Sequence, residues 1–268
     1  MDRETHGHQP TDETTHDALE LLLHGRIEVE GRLTEASNTT LLCSISTNGV
    51  EERCVYKPVR GERPLWDFPD GTLAGREVAT FLVSEAAGFR VVPPTVLRDG
   101  PFGPGMVQRW IETDDERELV DILAPKDVDE NWRTVLRARG MDGDPALLVH
   151  ADDPALRRMA ALDVVVNNAD RKGGHVLAGI DGGVYGVDHG VSLHAEDKLR
   201  TVLWGWLGEA LSEEERDGVG RVLEGLAGEL GRGLAGLLSA EEVDALAERC
   251  ARLLDDGIFP AQIGRAHV

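Results

Sequence analysis

The sequence predicts a bilobal α+β fold, with a small antiparallel β lobe carrying one helix ahead of a larger, mainly helical lobe. Three observations predict it. Residues 26–57 hold β-like runs of period two around the dipeptide Asn48-Gly49, the strongest short hairpin signal. Residues 73–87 switch to helical spacing and end at Gly88. Beyond residue 112 helical stretches dominate, the last two opened by the capping boxes Ser212-x-x-Glu215 and Ser239-x-x-Glu242. A chain of 268 residues with 41% hydrophobic content is long enough to bury cores in both lobes.

In chain order, residues 1–16 are polar and expected to form a disordered tail. Thr15 or Asp17 then caps a short helix, Ala18 to Leu23, closed by Gly25. Strands follow at Arg26 to Arg32, Thr40 to Ser46 and Glu51 to Lys57. In the helix of residues 73–87, Val78, Phe81, Leu82 and Glu85 recur at three and four. Two further strands, Arg90 to Leu97 and Gly105 to Glu112, finish a small lobe set at residues 17–110. The large lobe, residues 111–262, reads as helical at Asp129 to Arg139 and Asp153 to Asn167. It also holds a hairpin of His175 to Ile180 and Val184 to Asp188 about Asp181-Gly182-Gly183. The last six residues, 263–268, match the opening codons of a common sequencing adapter and are expected to be an assembly artefact that replaces the native C-terminus beyond about Ala261.

Composition narrows the function classes. Forty-nine acidic against 28 basic residues give a net charge of −21, with none of the Lys/Arg clusters that bind nucleic acid or an anionic leaflet. Nucleic-acid binding and stable membrane association are therefore not expected. Three cysteines at irregular spacing form neither a disulfide framework nor a zinc pattern, which suits a reducing compartment. With no apolar leader or spanning run, a cytoplasmic location is expected.

The richest stretch runs from Asp163 to Gly190: Asp-Val-Val-Val-Asn-Asn-Ala-Asp-Arg-Lys-Gly-Gly-His-Val-Leu, a Gly-rich turn, then Val-Tyr-Gly-Val-Asp-His-Gly. Its order and spacing read as the catalytic and metal loops of a phosphotransferase. Such chemistry needs charge at the phosphates, a metal ligand and a group to orient the attacking hydroxyl. Lys57, ending a strand, is placed to reach the phosphates, and Glu77 on the next helix to hold it. Asp170 and Arg171 stand where the base is expected, while Asp188 is the metal aspartate. The bland readings are an edge lysine, a solvated glutamate and turn-forming aspartates. Against them, a long apolar helix delivers Asp170 to a loop and a strand delivers Asp188 to Gly190. Asn167 and Asn168 either brace that loop or, for Asn168, cap the helix.

The run Asn167 to His175, with Asp188-His189-Gly190, resembles the Asp-Arg-His-x-x-Asn and Asp-Phe-Gly loops of phosphatidylinositol 3- and 4-kinases and their HipA-like relatives. Val55-Tyr56-Lys57-Pro58 through Pro69, and Lys198 to Trp206, resemble actinobacterial proteins known as phosphatidylinositol kinase-like. The resemblance covers about residues 17–260. It implies a bilobal protein-kinase-like fold and ATP with Mg²⁺ or Mn²⁺. It also implies Lys57 on the phosphates, Asp170 as base, and His175 with Asp188 on the metal. The acceptor is a protein or small-molecule hydroxyl, and lipid is the third choice for so acidic a chain. The alternatives are a pseudokinase that binds nucleotide as a scaffold and a nucleotidyl transferase on the same fold.

The departures are specific. His175 replaces the asparagine ligand, and Lys172 the histidine after Asp-Arg. An imidazole suits Mn²⁺ better than Mg²⁺; alternatively His175 only packs in a strand and Asp188 holds the ion alone. Ser37, Asn38 and Thr39 stand where glycines form a phosphate lid, and their hydroxyls and backbone amides are taken as nucleotide contacts. Adenine is expected near Gln108 and Trp110, where a strand leaves the small lobe. Trp66, in a Pro-rich insertion, either packs or overhangs the site.

Overall fold

A computed structural model describes residues 12–33, 38–68, 70–140 and 142–260, the side chains of residues 12 and 13 excepted. The first eleven residues, Ser37, Pro69 and the adapter-like hexapeptide lie outside the described residues. Helix α1 (Asp12–His24) begins earlier than expected, with Thr15 and Asp17 inside it rather than capping it.

A five-stranded antiparallel sheet in the order β1-β2-β3-β5-β4 forms the small lobe. It comprises β1 (Arg26–Arg32), β2 (Leu41–Thr47), β3 (Val50–Pro58), β4 (Thr95–Gly100) and β5 (Gly103–Arg109). Asn48 and Gly49 both take positive φ, 49° and 84°, as a two-residue turn that matches strand twist requires. The pleat then sorts the side chains. Cys43, Ile45, Cys54 and Tyr56 face α1 and bury Leu21 and Leu22, while Met106 faces α2 (Leu73–Ala87) and packs on Ala74 and Val78. Lys57, one residue past Tyr56, therefore points to the α2 side.

β4 and β5 are shifted from the expected positions. Pro93 and Pro94 offer no N–H to a ladder, so residues 89–94 cross as a packed segment with Phe89, Val91 and Val92 in the core, and pairing starts at Thr95. Gly103, at φ 95°, turns the hairpin. Gly105 lies so close to the Tyr56 ring that a Cβ there would fall 2.5 Å from it.

A second sheet, β6-β8-β7, corrects the helix expected at Asp129 to Arg139. That segment is β7 (Trp132–Arg139), paired with β8 (Pro145–Ala151), with β6 (Val120–Leu123) on the far side of β8. Thr134 and Val135 favour a strand, and the loop of residues 140–144 contains Asp142-Gly143, a turn-forming dipeptide with Gly143 at φ 87°.

Helix α3 (Pro154–Val165) follows the N-cap Asp153, whose carboxylate accepts from the amides of Ala155 and Leu156. It buries Leu156, Met159, Leu162 and Val165 and ends at the Asn167 turn, φ 52°. The short hairpin β9 (Val176–Ala178) and β10 (Val184–Gly186) comes next. Helices α4 (Glu213–Gly225), α5 (Glu229–Leu234) and α6 (Ala240–Asp256) close the large lobe, with both capping boxes formed. The fold is α+β, and its larger lobe is mainly helical apart from the β6–β8 sheet. No described helix is long and apolar enough to cross a membrane.

Candidate functional site

A cavity of about 380 Å³ lies where β3, α2 and the end of the β9–β10 hairpin converge, and Lys57 lines it. The Lys57 ammonium is 2.6 Å from Glu77 Oε1 and 2.8 Å from Asp188 Oδ1. Burial would lower its pKa, but the charges of Glu77 and Asp188 outweigh burial and hold it above the ordinary lysine range. Glu77, almost fully buried on α2, uses its second oxygen to accept the His189 backbone N–H at 2.9 Å. Asp188 follows β10 with φ 61°, a left-handed conformation that aspartate tolerates. Burial tends to raise its pKa, and Lys57 overrides this to keep it ionised.

His175 approaches Asp188 from the other side, Nε2 to Oδ2 at 3.4 Å. Its Nδ1 is buried without a hydrogen-bond partner. Desolvation lowers its pKa, against the pull of Asp188, so the neutral ring is favoured. Among the described residues no group of three or more His, Cys, Asp or Glu could hold a metal ion. The pair His175 and Asp188 fits a divalent ion only if non-protein oxygens, such as phosphates and waters, complete the coordination.

Asp170 lines the cavity, half exposed and 2.8 Å from the Lys172 ammonium. Arg171 points the opposite way, which corrects its place among the reacting groups. Its side chain is fully buried and forks onto Asp163, with Nη2 to Oδ1 at 2.8 Å. It also donates to the carbonyls of His175 and Val187 and so ties both sides of the β9–β10 hairpin. Asp163, which sequence reasoning did not single out, also accepts from Asn168 Nδ2 and Thr201 Oγ1. Asn168 Oδ1 in turn accepts the Asp170 backbone N–H at 3.0 Å, and Asn167 clamps the carbonyls of His194 and Glu196. Arg171 Nη2 lies 2.7 Å from His189 Nε2. Because arginine only donates, that nitrogen accepts and the proton sits on Nδ1, 3.9 Å from Glu77 Oε2.

Asn38 and Thr39 line the same cavity, while Ser37 lies outside the described residues. Gln108 and Trp110 are not brought there. β5 lies between β3 and β4, so Gln108 pairs with both Val55 and Thr95, and its side-chain amide donates to Thr95 Oγ1. Trp110 lines a separate, more open depression of about 590 Å³ with Arg53 and Glu112, away from Lys57. The larger hollow holds none of the convergent groups. Sequence reasoning also missed Glu62, whose carboxylate accepts from the Leu73 and Ala74 amides and anchors the start of α2. Trp66 is exposed and covers nothing.

No family model matches the chain. It is 49% identical over 254 residues to Protein Rv2133c of Mycobacterium tuberculosis (strain ATCC 25618 / H37Rv), covering 91% of each chain. Its fold is similar to that of the Golgi casein kinase with Mn/ADP bound, at TM-score 0.57 and 14% identity over 92% of this chain and 76% of that one. A second structure of the Golgi casein kinase gives TM-score 0.53 at 14% identity over 92% and 75%. The chain therefore has a kinase-like fold.

Proposed function

We propose that this chain, which belongs to the family of the mycobacterial protein Rv2133c, is an ATP-dependent phosphotransferase with a hydroxyl acceptor. The observation that carries the reading is Lys57 held between Glu77 on α2 and Asp188 after β10, at 2.6 and 2.8 Å, in a cavity that Asp170 also lines. Lys57, fixed and charged, neutralises phosphate oxygens. Asp170 orients the acceptor hydroxyl and takes its proton as the terminal phosphoryl group leaves the nucleotide for that oxygen. The cavity lining carries two cations, Lys57 and Arg63, against four carboxylates, Glu62, Glu77, Asp170 and Asp188, a balance of −2. A polyphosphate entering such a lining needs accompanying divalent cations, and His175 with Asp188 would hold one. A bound Mg²⁺ or Mn²⁺ supplies charge neutralisation at the phosphates. The likeness of the loops to phosphatidylinositol 3- and 4-kinases supports placing the family beside them, with a protein or small-molecule acceptor.

A second reading, nucleotide binding without turnover, is favoured by one contact: the Asp170 carboxylate is already paired with Lys172. ATP labelled at the α or γ position, with Mg²⁺ or Mn²⁺, separates these readings. Movement of the γ label to an acceptor or to the protein itself, lost in Lys57→Met with the fold retained, is the expected result. Movement of the α label means nucleotidyl transfer. Nucleotide binding with neither label moving means the pseudokinase.

A further inference from the structure

Of the two cations that line the cavity, one has no acidic partner among the described residues. Lys57 is neutralised twice over by Glu77 and Asp188, whereas the Arg63 guanidinium makes no hydrogen bond or ion pair among the described residues. The neighbouring Glu62 does not pair with it, because both its oxygens accept amides at the start of α2. Arg60, three residues earlier, stacks on the Phe102 ring at 4.8 Å.

The backbone around Arg63 is fixed at both ends. Glu62 binds the α2 amides on one side, and on the other Phe68 is buried beside His194, with the Arg76 guanidinium 5.0 Å from its ring centre. The Arg63 backbone N–H donates to Asn38 Oδ1 at 2.9 Å, tying this strap to the segment that enters β2. Arg63 is therefore an exposed, unpaired charge on a held backbone, and it lines a cavity that also carries Lys57 and Asp170.

We propose that Arg63 is the residue that receives the terminal phosphate of the nucleoside triphosphate, an inference that rests on the phosphotransferase reading. Lys57 is shared with two carboxylates, so the extra negative charge of a triphosphate over a diphosphate falls to Arg63. Its planar fork donates to two phosphate oxygens at once in a fixed geometry that an ammonium lacks.

The test is calorimetric titration of the full chain, in Mn²⁺, with ADP and with the non-hydrolysable β,γ-imido analogue of ATP. Arg63→Ala should weaken the triphosphate analogue about tenfold or more while leaving ADP within about twofold, and Arg63→Lys should recover only part of the loss. The side chain is exposed and makes no hydrogen bond or ion pair among the described residues, so both variants should melt with the wild type. Equal affinities of wild type and Arg63→Ala for the analogue overturn the assignment, as does an equal loss for both nucleotides. If the wild type binds neither nucleotide, the phosphotransferase reading itself falls. Wild-type binding with no effect of Arg63→Ala removes Arg63 alone.

Discussion

Replacing Asp163 with alanine should be the most damaging single change near the site, although Asp163 does not line the cavity. Its carboxylate takes three contacts from the Arg171 guanidinium, one from Asn168 and one from Thr201, and both charged side chains are fully buried. Truncation leaves Arg171 charged, out of water and without its partner, which costs about 3–5 kcal/mol. For a chain of this size each kcal/mol moves the melting temperature by about 2–4 °C, so Asp163→Ala should melt roughly 6–20 °C lower. Urea unfolding should show the same loss as a lower midpoint at unchanged slope. The double variant Asp163→Leu/Arg171→Met should regain most of the stability, because it removes the charges together. A loss below about 1 kcal/mol in Asp163→Ala would refute the argument, since it would mean that the pair is hydrated or dispensable.

Two further predictions concern protonation and the metal. His150, His175 and His189 are all held below the ordinary histidine range, chiefly by burial, so each stays neutral in the fold while its unfolded counterpart gains a proton below about pH 6.5. The unfolded state then binds more protons, and stability should fall by about 1.3 kcal/mol per fully buried histidine between pH 7 and pH 5.5; a urea midpoint that is flat or rises over that interval contradicts the assignment. If His175 is a ligand, activity should prefer Mn²⁺, and His175→Asn should shift the preference toward Mg²⁺. An unchanged metal preference would leave Asp188 as the sole protein ligand.

What was legible in the sequence was mostly local. Asn48-Gly49, the Gly88 terminus and the two capping boxes depend on chemistry within a few residues, and each forms where its residues stand. The Lys57–Glu77 contact was readable from the order strand, helix, loop, because the pleat of β3 fixes which side Lys57 faces. The role of Arg171 was not. Its position beside Asp170 suggested a reacting group, yet successive loop residues point opposite ways, and the partner that decides its direction is eight residues back on α3. β7 was misread because none of its residues is fully buried, which leaves no clear alternation of core and solvent positions, and its partner β8 lies beyond a turn whose dipeptide went unused. Arg63 lay inside the run Val55 to Pro69 that carried the family resemblance, but no role for it could be read there. What distinguishes it, an unpaired guanidinium on a residue that lines the Lys57 cavity, is visible only in the three-dimensional arrangement.

The buried contacts also bear on whether the lysine pair must be assembled before it can act. Glu77 reaches Lys57 only while α2 is seated, and Arg76, the preceding residue on α2, seats it. The Arg76 guanidinium is almost fully buried and bonded to Glu242 of the α6 capping box, to the Ser192 carbonyl and to the Asp70 carbonyl. Swinging α2 outward would separate that ion pair and strip the His189 amide from Glu77 in the same motion. The Lys57–Glu77–Asp188 arrangement is therefore pre-formed by packing between the lobes, with Arg76 of α2 on Glu242 of α6 and Glu77 on the His189 amide.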